Sequence, residues 1–165
     1  MKTAIYPGSF DPVTLGHLNV IKRAGQAFDK VIVCVMVNSE KNGGLFTPDE
    51  RVDMLRRTTA HLPNVEIDQS CELVADYARR KGARVLVKGL RAVSDFEKEV
   101  QMAIINRKLY HNLDTFFSPS SEKYTYLSST VVKEMARYGA DLTDFVPREI
   151  IAEVHAKFKK KEEES

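Results

Sequence analysis

The sequence predicts a single-domain α/β protein with a five-stranded parallel sheet and helices on both faces. Short apolar segments alternate with helical patterns five times along the chain, which favours parallel strands joined by right-handed crossovers. The segment KVIVCVMV at 30–37 is apolar without alternation, as is typical of a strand covered on both faces. These two observations make a parallel α/β sheet the predicted fold class.

The composition is that of one globular domain. The chain has 165 residues, of which 43% are hydrophobic and 29% charged, enough to bury one substantial core. We expect the α/β domain to span residues 1–158 and the charged tail 159–165 to form a solvated helix end. The net charge of +2 gives no sign of a nucleic-acid or membrane surface, so an anion site must be built locally.

Two features of the sequence predict a cytoplasmic protein. The longest apolar run is too short to span a bilayer, and the beginning MKTAIYPG lacks the apolar core of a signal peptide. Cys34 and Cys71 form neither a CxxC pair nor a metal-like cluster, so we expect free thiols in a reducing compartment.

The order of elements follows from the apolar patterns and the cap residues. Strands are predicted at 3–6, 30–37, 65–67, 84–87 and 115–118. Helices are predicted at 14–28, 47–61, 73–81, 94–110, 128–138 and 146–158. Thr47, Pro48 and Glu50 form a capping box with proline at the first helical position, and Ser94 begins a second such pattern. Ser128 or Ser129 is predicted to cap the fifth helix.

The loops that follow the strands differ in character from those that precede them. The segments after the strands are polar, glycine-rich or cationic: PGSFDPVTLGH, NSEKNGG, QSCEL, KGLRAVSD and SPSSEKYTYLSST. The opposite connections, HLPN, KGA and YHNLD, are plain turns. Because ligands of open parallel sheets bind beyond the carboxyl ends of the strands, this asymmetry predicts the functional site at that edge.

The stretch YPGSFDPVTLGH has the features of a phosphate site. With Thr14 as N-cap, His17 lies in the first helical turn, where free N–H groups and the helix dipole favour an anion and disfavour an imidazolium. Gly16 would let a ligand approach the backbone, and Gly8 and Ser9 offer an amide and a hydroxyl. The alternative is a capped helix with an incidental surface histidine. The position at the active edge favours the phosphate site.

Further polar residues lie at the same edge, and the evidence that each belongs to the site differs. Lys88 and Arg91 flank a glycine directly after a predicted buried strand, whereas Lys41 alone would be an ordinary solvated lysine. Glu99 could be an exposed helix carboxylate or a site residue. The hydroxyls of YLSST suit phosphate oxygens, but an N-cap cluster remains an alternative. The other histidines are predicted to be structural or exposed: His61, His111 and His155.

Several classes of enzyme are excluded by missing motifs. The sequence has no G-x-x-x-x-G-K-[ST] loop and no G-x-G-x-x-G fingerprint. It also has no His/Cys cluster with metal-ligand spacing and no G-x-S-x-G elbow. P-loop kinases and GTPases, dinucleotide-dependent dehydrogenases and serine hydrolases are therefore set aside.

Three motifs in register resemble one family. YPGSFDPVTLGH resembles the T/HxGH signature of the nucleotidyltransferase superfamily, and YLSSTVVKE resembles its ISSxxxR/K element. GSFDPVTLGH, KGLRAVSDFEKEVQMAIINRKL and YLSSTVVKE together resemble the bacterial phosphopantetheine adenylyltransferases, from Met1 to about Phe158. The resemblance implies a Rossmann-like fold of the nucleotidyltransferase type.

The resemblance also implies a reaction and a set of site residues. The phosphate of 4′-phosphopantetheine would attack the α-phosphorus of Mg-ATP, giving dephospho-coenzyme A and pyrophosphate. His17 would stabilise the transition state. The phosphopantetheine site would comprise Ser9, Lys41, Leu73 and Lys88. The ATP site would comprise Ser9, Phe10, His17, Gly89, Leu90, Arg91, Glu99, Tyr124, Thr125, Tyr126, Leu127, Ser128, Ser129 and Thr130.

The resemblance further implies Mg²⁺ and a homohexamer. The metal would bridge ATP phosphates with few protein ligands. The family forms a dimer of trimers, and two apolar faces of the helix at 94–110 are compatible with extra burial: Phe96, Val100 and Ile104 on one, Met102, Ile105 and Leu109 on the other. The chain departs from the family in having Lys88 where arginine is usual, Leu15 where asparagine is common, and Ser9 where threonine often occurs.

Three other functions have less support in the sequence. Related transferases that act on nicotinamide mononucleotide or glycerol phosphate usually have histidine at the position of Thr14 and lack GLRAVSDFE. A non-catalytic nucleotide sensor would keep the loops but release no pyrophosphate, and the intact His17 argues against it. A nucleic-acid partner is disfavoured by the near-neutral charge and by an aromatic content of only 8%.

Overall fold

The computed structural model describes residues 1–38, 43–91 and 93–164 and contains the predicted parallel sheet. Its strands are β1 (Thr3–Gly8), β2 (Lys30–Met36), β3 (Val65–Ser70), β4 (Val85–Leu90) and β5 (Asp114–Pro119). Its helices are α1 (Leu15–Ala27), α2 (Pro48–Thr59), α3 (Val74–Arg80), α4 (Val93–Leu109), α5 (Ser129–Arg137) and α6 (Ile151–Glu163). Short 3₁₀ turns lie at Glu122–Tyr124 and Arg148–Ile150. The predicted fold class is confirmed.

The five strands are ordered β3-β2-β1-β4-β5, and every neighbouring pair is parallel. The chain moves outward from β1 to one side through β2 and β3, then returns to the other side of β1 for β4 and β5. The order therefore reverses between β1 and β4. In open parallel sheets such a switch point opens a crevice at the carboxyl ends of the strands.

Each face of the sheet is covered by its own core. On one face, residues such as Tyr6, Val33 and Val87 pack with apolar residues of α1, α2, α5 and α6. On the other face, Ile5, Leu86 and their neighbours pack with buried residues of α3 and with Leu113. Because both faces are buried, β1 and β2 read as continuous apolar runs rather than alternating ones.

Cap residues position the helices as the sequence predicts at three sites. Thr14 accepts a hydrogen bond from the His17 N–H, Thr47 accepts one from the Glu50 N–H, and Ser128 caps α5. Ser94 is an exception, because α4 begins at Val93 and Ser94 therefore lies within its first turn. The prediction of Ser94 as N-cap is wrong, because the helix starts two residues earlier than such a cap requires.

The predicted bounds of β4 are wrong in a way that matters for the site. β4 continues to Leu90 because its last residues pair with β5, Gly89 opposite Ser118 and Leu90 opposite Pro119. Lys88 and Gly89 therefore lie on the strand itself rather than in the loop after it. β3 is likewise longer than predicted, since it pairs with β2 as far as Ser70. Among the described helices, none is long and apolar enough to cross a membrane.

Candidate functional site

A cavity of about 1060 Å³ opens at the carboxyl ends of the strands, beside the switch point between β1 and β4. The predicted site residues that line it come from all three motifs: Ser9, Phe10, His17, Lys88, Gly89, Arg91, Glu99, Tyr124, Leu127, Ser128, Ser129 and Thr130. The fold thus gathers segments that are more than a hundred residues apart in the sequence. The predicted location of the site at this edge matches the cavity.

Four predicted residues are not part of this lining: Leu73, Leu90, Thr125 and Tyr126. Leu73 lies at the N-cap of α3 and is exposed, as is Tyr126. Lys41 lies outside the described residues. The other histidines, His61, His111 and His155, do not line the cavity either.

The orientation of the His17 ring is set by the N-cap of α1. The Thr14 N–H donates a hydrogen bond to His17 Nδ1 at 3.0 Å, while the His17 N–H donates to Thr14 Oγ1 at 3.2 Å. A neutral imidazole that accepts at Nδ1 must carry its proton on Nε2. The capping box therefore presents His17 as an Nε2–H donor in the cavity wall.

The environment of His17 keeps the ring neutral. Burial, followed by the positive charges of Arg91 and Lys88, lowers the pKa of His17 to about 3. The prediction that a charged imidazolium is disfavoured at this position is in agreement with this low pKa. Its cause is different, because the prediction was based on the helix dipole, whereas burial has the largest effect. A neutral ring suits a hydrogen-bond donor to phosphate oxygens and does not need to give up its proton.

The Phe10 turn supports the same ring. Phe10 adopts a backbone φ of 49°, which is uncommon for a residue other than glycine and marks a conformation imposed by its surroundings. Its ring meets the rings of His17 and Tyr6 edge-on, with centroids 4.9 and 5.2 Å apart. Phe10 is 2% exposed, so its buried ring packs against the His17 ring and restricts the movement of that ring.

Gly16 lies between the cavity and the segment before α5. It lines the cavity, as expected for a close approach of ligand to backbone. A Cβ atom at Gly16 would also lie 3.6 Å from Cβ of Tyr124 and 3.4 Å from Thr14 Oγ1. Both distances are ordinary van der Waals contacts, so the packing of the segment before α5 on the beginning of α1 would accommodate a methyl group here.

Two cations of the cavity, Lys88 and Arg91, are each paired with a carboxylate. Lys88 Nζ lies 3.7 Å from Glu99 Oε2 and 3.5 Å from the Pro7 carbonyl oxygen. Arg91 Nε donates to Asp95 Oδ2 at 3.0 Å, and its Nη1 donates to the Leu127 carbonyl at 2.9 Å. Arg91 thus joins the end of β4 to the segment before α5.

The hydroxyls of YLSST are largely engaged within the protein. Ser128 Oγ accepts from the Val131 N–H as the N-cap of α5. Ser129 Oγ donates to the Pro12 carbonyl at 2.8 Å, which ties this motif to the first one. The N-cap alternative raised from the sequence is therefore correct for Ser128, whereas Thr130 is exposed in the cavity wall.

Sequence reasoning missed several lining residues. Asp11 and Lys133 lie within the quoted motifs and form an ion pair, with Lys133 Nζ 2.8 Å from Asp11 Oδ2. Their charges, within two motifs of the predicted site, could have indicated both residues as site candidates. The pairing between them could not be predicted, because they lie 122 positions apart in the sequence. A branch of about 220 Å³ adjoins the cavity at Ser9, Lys88 and Glu99 and is lined further by Val74, Met102 and Asn106, among others.

The described carboxylates of the cavity are poorly suited to hold a resident metal ion. Asp11 pairs with Lys133, Asp95 with Arg91 and Glu99 with Lys88. Within the part of the chain that the structure describes, no group of three or more His, Cys, Asp or Glu side chains could hold a metal. A divalent cation would need other oxygen ligands, such as the phosphates of a nucleotide.

Comparison with known proteins adds family membership to this geometry. The cytidylyltransferase-like family model matches residues 5–135. The chain is 50% identical to a phosphopantetheine adenylyltransferase of Clostridium botulinum (strain 657 / Type Ba4) over 163 residues, covering 99% of both chains. It is 46% identical to one of Heliobacterium modesticaldum over 158 residues, covering 96% of this chain and 94% of the relative.

A solved structure shares the fold. The crystal structure of a putative nicotinate-nucleotide adenylyltransferase from Vibrio parahaemolyticus superposes with a TM-score of 0.68, covering 93% of this chain and 91% of that one. At 19% identity this likeness concerns the fold alone. The resemblance found in the motifs is confirmed by the full-length relatives: the chain belongs to the cytidylyltransferase-like family and, within it, to the phosphopantetheine adenylyltransferases.

Proposed function

We propose that this chain transfers the adenylyl group of ATP to 4′-phosphopantetheine, giving dephospho-coenzyme A and pyrophosphate, a step of coenzyme A biosynthesis. The observation that carries the proposal is His17, a neutral Nε2–H donor in a cavity with Lys88 and Arg91. The full-length likeness to phosphopantetheine adenylyltransferases supports the choice of acceptor.

The chemistry needs no base from the protein. A phosphate oxygen of phosphopantetheine, already ionised at neutral pH, forms a bond to the α-phosphorus of ATP. The bond from that phosphorus to the bridging oxygen breaks, and pyrophosphate leaves with the electron pair. Catalysis then depends on positioning the two phosphates and on donors aimed at the oxygens where charge increases. The His17 Nε2–H is such a donor, and its low pKa prevents it from acting as an acid or base near neutrality.

The cationic side chains have distinct proposed tasks. Arg91, which is held by Asp95 and the Leu127 carbonyl, is positioned to meet the polyphosphate of ATP. Lys88 adjoins Ser9 in both the cavity and its branch, which fits the phosphate shared between the two substrates. Lys41 is proposed to hold the phosphopantetheine phosphate on the strength of the family resemblance alone. Exchange of carboxylate contacts for phosphate contacts would keep these charges paired.

The branch of the cavity suits the pantetheine arm. Its lining combines apolar side chains, such as Met102 and Val74, with the Asn106 side chain, which has both donor and acceptor atoms. Pantetheine has the same combination of apolar segments and amides. Leu73, the residue before Val74, is proposed from the resemblance to contact this arm at the entrance.

We propose that Mg²⁺ enters with ATP as part of the substrate. The cation would be held by phosphate oxygens and water, because the nearby carboxylates are paired with Lys88, Arg91 and Lys133. Its chemical contribution would be to neutralise charge on the phosphates.

A homohexamer and a cytoplasmic location are proposed as well. Five large apolar side chains of α4 are at least 39% exposed in the single chain: Phe96, Met102, Ile104, Ile105 and Leu109. A concentration of this kind on one helix is typical of a surface that is buried in an assembly. The cytoplasmic location is supported by two free thiols, Cys34 and Cys71, which suit a reducing compartment.

The deciding experiment measures pyrophosphate release from Mg-ATP with no acceptor, with 4′-phosphopantetheine and with nicotinamide mononucleotide. His17→Ala protein, purified in the same way, is the matched control. Release that depends on phosphopantetheine, and that disappears in the control, is the expected result.

The other outcomes each contradict a different part of the proposal. Release with the mononucleotide alone would keep the role of His17 but assign a different acceptor. Binding of ATP without release under any acceptor would make the cavity a nucleotide sensor. Equal release by wild type and His17→Ala would remove His17 from the mechanism.

A further inference from the structure

Asp11 is a buried carboxylate at the junction of several walls of the cavity. It is only 5% exposed, yet its two oxygens receive several donors. Oδ2 accepts from the Leu45 N–H and from Lys133 Nζ, both at 2.8 Å. Oδ1 accepts from the Phe46 N–H at 2.8 Å and lies 3.4 Å from Arg51 Nε. A buried carboxylate satisfied in this way is stable only while these partners stay in place.

The donors come from separate parts of the chain. Leu45 and Phe46 belong to the segment 43–47 that precedes α2, Arg51 to α2 itself, and Lys133 to α5. Asp11 follows Phe10, whose ring supports His17. One carboxylate therefore connects the turn behind His17 with two further walls of the cavity.

Arg51 strengthens the same connection. Its Nε donates to the Phe46 carbonyl at 2.9 Å, and its Nη1 reaches the Ser9 carbonyl at 3.4 Å. The guanidinium thus bridges the segment 43–47 and the Phe10 turn at the backbone level. Asp11 neutralises its charge at this partly buried position.

The packing on this carboxylate leaves no room for a side chain at Gly44. A Cβ atom there would lie 1.7 Å from Arg51 Nη2 and 2.7 Å from Asp11 Oδ2. The segment 43–47 therefore lies flat against the Asp11–Arg51 pair. Any side chain at this position would force the guanidinium or the segment to move.

We propose that Asp11 is a positioning residue for the transferase reaction, which locks the segment 43–47 and Lys133 against the Phe10–His17 turn. The inference rests on the proposed function, since its readout is the transfer of an adenylyl group. Asp11 acts through these neighbours and does not need to contact a substrate. Its oxygens already accept from ammonium and amide donors, which lower the pKa of this carboxyl below its usual range although burial alone would raise it.

The test compares three variants with the wild type, using the acceptor that the wild type accepts. Asp11→Asn removes the charge at constant volume. Gly44→Ala disturbs the packing on Asp11 but leaves its carboxylate intact. Gly82→Ala is the control, because Gly82 has a φ of 67° in the turn after α3, so alanine there costs stability without altering the cavity. We would measure kcat, both KM values and Tm for each.

The expected result is a loss that stability does not explain. Asp11→Asn and Gly44→Ala should each lower kcat at least tenfold with KM for ATP changed less than threefold. Gly82→Ala should lower Tm but leave kcat within twofold of the wild type. The Asp11→Asn/Gly44→Ala double variant should be no more than threefold slower than the slower single variant, since both changes break one contact.

Three outcomes would overturn the proposal: a kcat within twofold of the wild type in Gly44→Ala, multiplicative effects in the double variant, or an equal loss of kcat in Gly82→Ala. If Asp11→Asn does not fold, Gly44→Ala alone decides between retention and loss of kcat. A wild type that is inactive with every acceptor refutes the proposed function and this one together. An active wild type with an active Gly44→Ala refutes only the positioning role.

Discussion

The beginning of α1 and helix α4 both contribute residues to the cavity wall, but their remaining surfaces are completed in different ways. Around α1, the side chains of Phe10 and Thr14 are nearly buried, and they fix the His17 ring from two sides. On α4, Phe96 and Ile104 are more than half exposed. The conformation at the beginning of α1 is fixed by contacts within one chain. Helix α4, in contrast, has exposed apolar surface that a further subunit could cover.

The difference teaches which parts of the site depend on assembly. His17 and its supports need no partner subunit to adopt their geometry. Glu99 and Asp95, which hold Lys88 and Arg91, are carried by α4 and therefore move with it. We expect changes at the first region to act on catalysis directly, and changes on α4 to act on assembly first.

The largest effect is expected at His17. Replacing His17 by alanine should lower kcat. The loss of transition-state stabilisation should be about 3 kcal/mol or more, comparable to removal of an oxyanion donor. Steady-state pyrophosphate release measures this, with circular dichroism to confirm that the variant is folded. A kcat close to that of the wild type would contradict the assignment of His17. The beginning of α1 would then not differ from α4 by a direct role in catalysis.

A charge on α4 should act on assembly. Ile104→Glu places a carboxylate on the exposed apolar surface and should weaken association by about 2 kcal/mol or more if a partner covers it. Light scattering coupled to size exclusion would detect the change from six copies of the 18.7 kDa chain to fewer. Ala152→Glu, at an exposed position of α6, is the control and should keep the mass. A wild-type protein that is monomeric would refute the proposed hexamer.

The neutral state of His17 should be visible as a pH dependence of stability. The unfolded residue has a pKa near 6.5, and the folded one about 3, so the unfolded state binds more protons between these values. The free energy of unfolding therefore falls on acidification below pH 6.5, by up to about 1.4 kcal/mol per pH unit.

Urea unfolding at pH 7 and pH 5 tests this expectation. Relative to His17→Gln, the wild type should lose about 2 kcal/mol more over this range. Identical slopes for the wild type and His17→Gln would mean that the pKa of His17 is the same in the folded and unfolded states, which would contradict the buried, neutral ring. Nitrogen NMR should in addition find the proton on Nε2.

The smallest effect is expected from Lys88→Arg. A guanidinium can bind phosphate through two parallel hydrogen bonds, which an ammonium cannot. KM for phosphopantetheine should fall about twofold to fivefold, less than 1 kcal/mol, with kcat nearly unchanged. The same substitution at Lys30, which pairs with Glu66 on the surface, should change neither. A higher KM in Lys88→Arg would indicate that the wall near Glu99 has no room for the larger group.

Much of the fold was predictable because its signals are local. The capping boxes at Thr14 and Thr47 lie within four residues of sequence, and the apolar run of β2 is continuous. The extension of β4 through Gly89 was not predictable, since it depends on pairing with β5. A strand end that is decided by a neighbouring strand carries no signal of its own.

The site shows the same division. Its location followed from the alternation of elements, and His17 from its position in a helix start. The contacts of Asp11 were missed, because its partners Phe46 and Lys133 lie 35 and 122 positions away in the sequence. Single residues are readable from a motif, but their partners become known only when the chain is folded.

The ion pairs at the cavity affect which anions the free protein can bind there. Lys88, Arg91 and Lys133 are each matched to a carboxylate, so the protein carries its own counterions at this edge. A polyphosphate that binds Lys88 and Arg91 would replace Glu99 and Asp95 as their partners, while the buried Asp11 keeps Lys133. We therefore expect an anion with a single charge, such as chloride, to gain less from this exchange than a ligand that brings several charges at once.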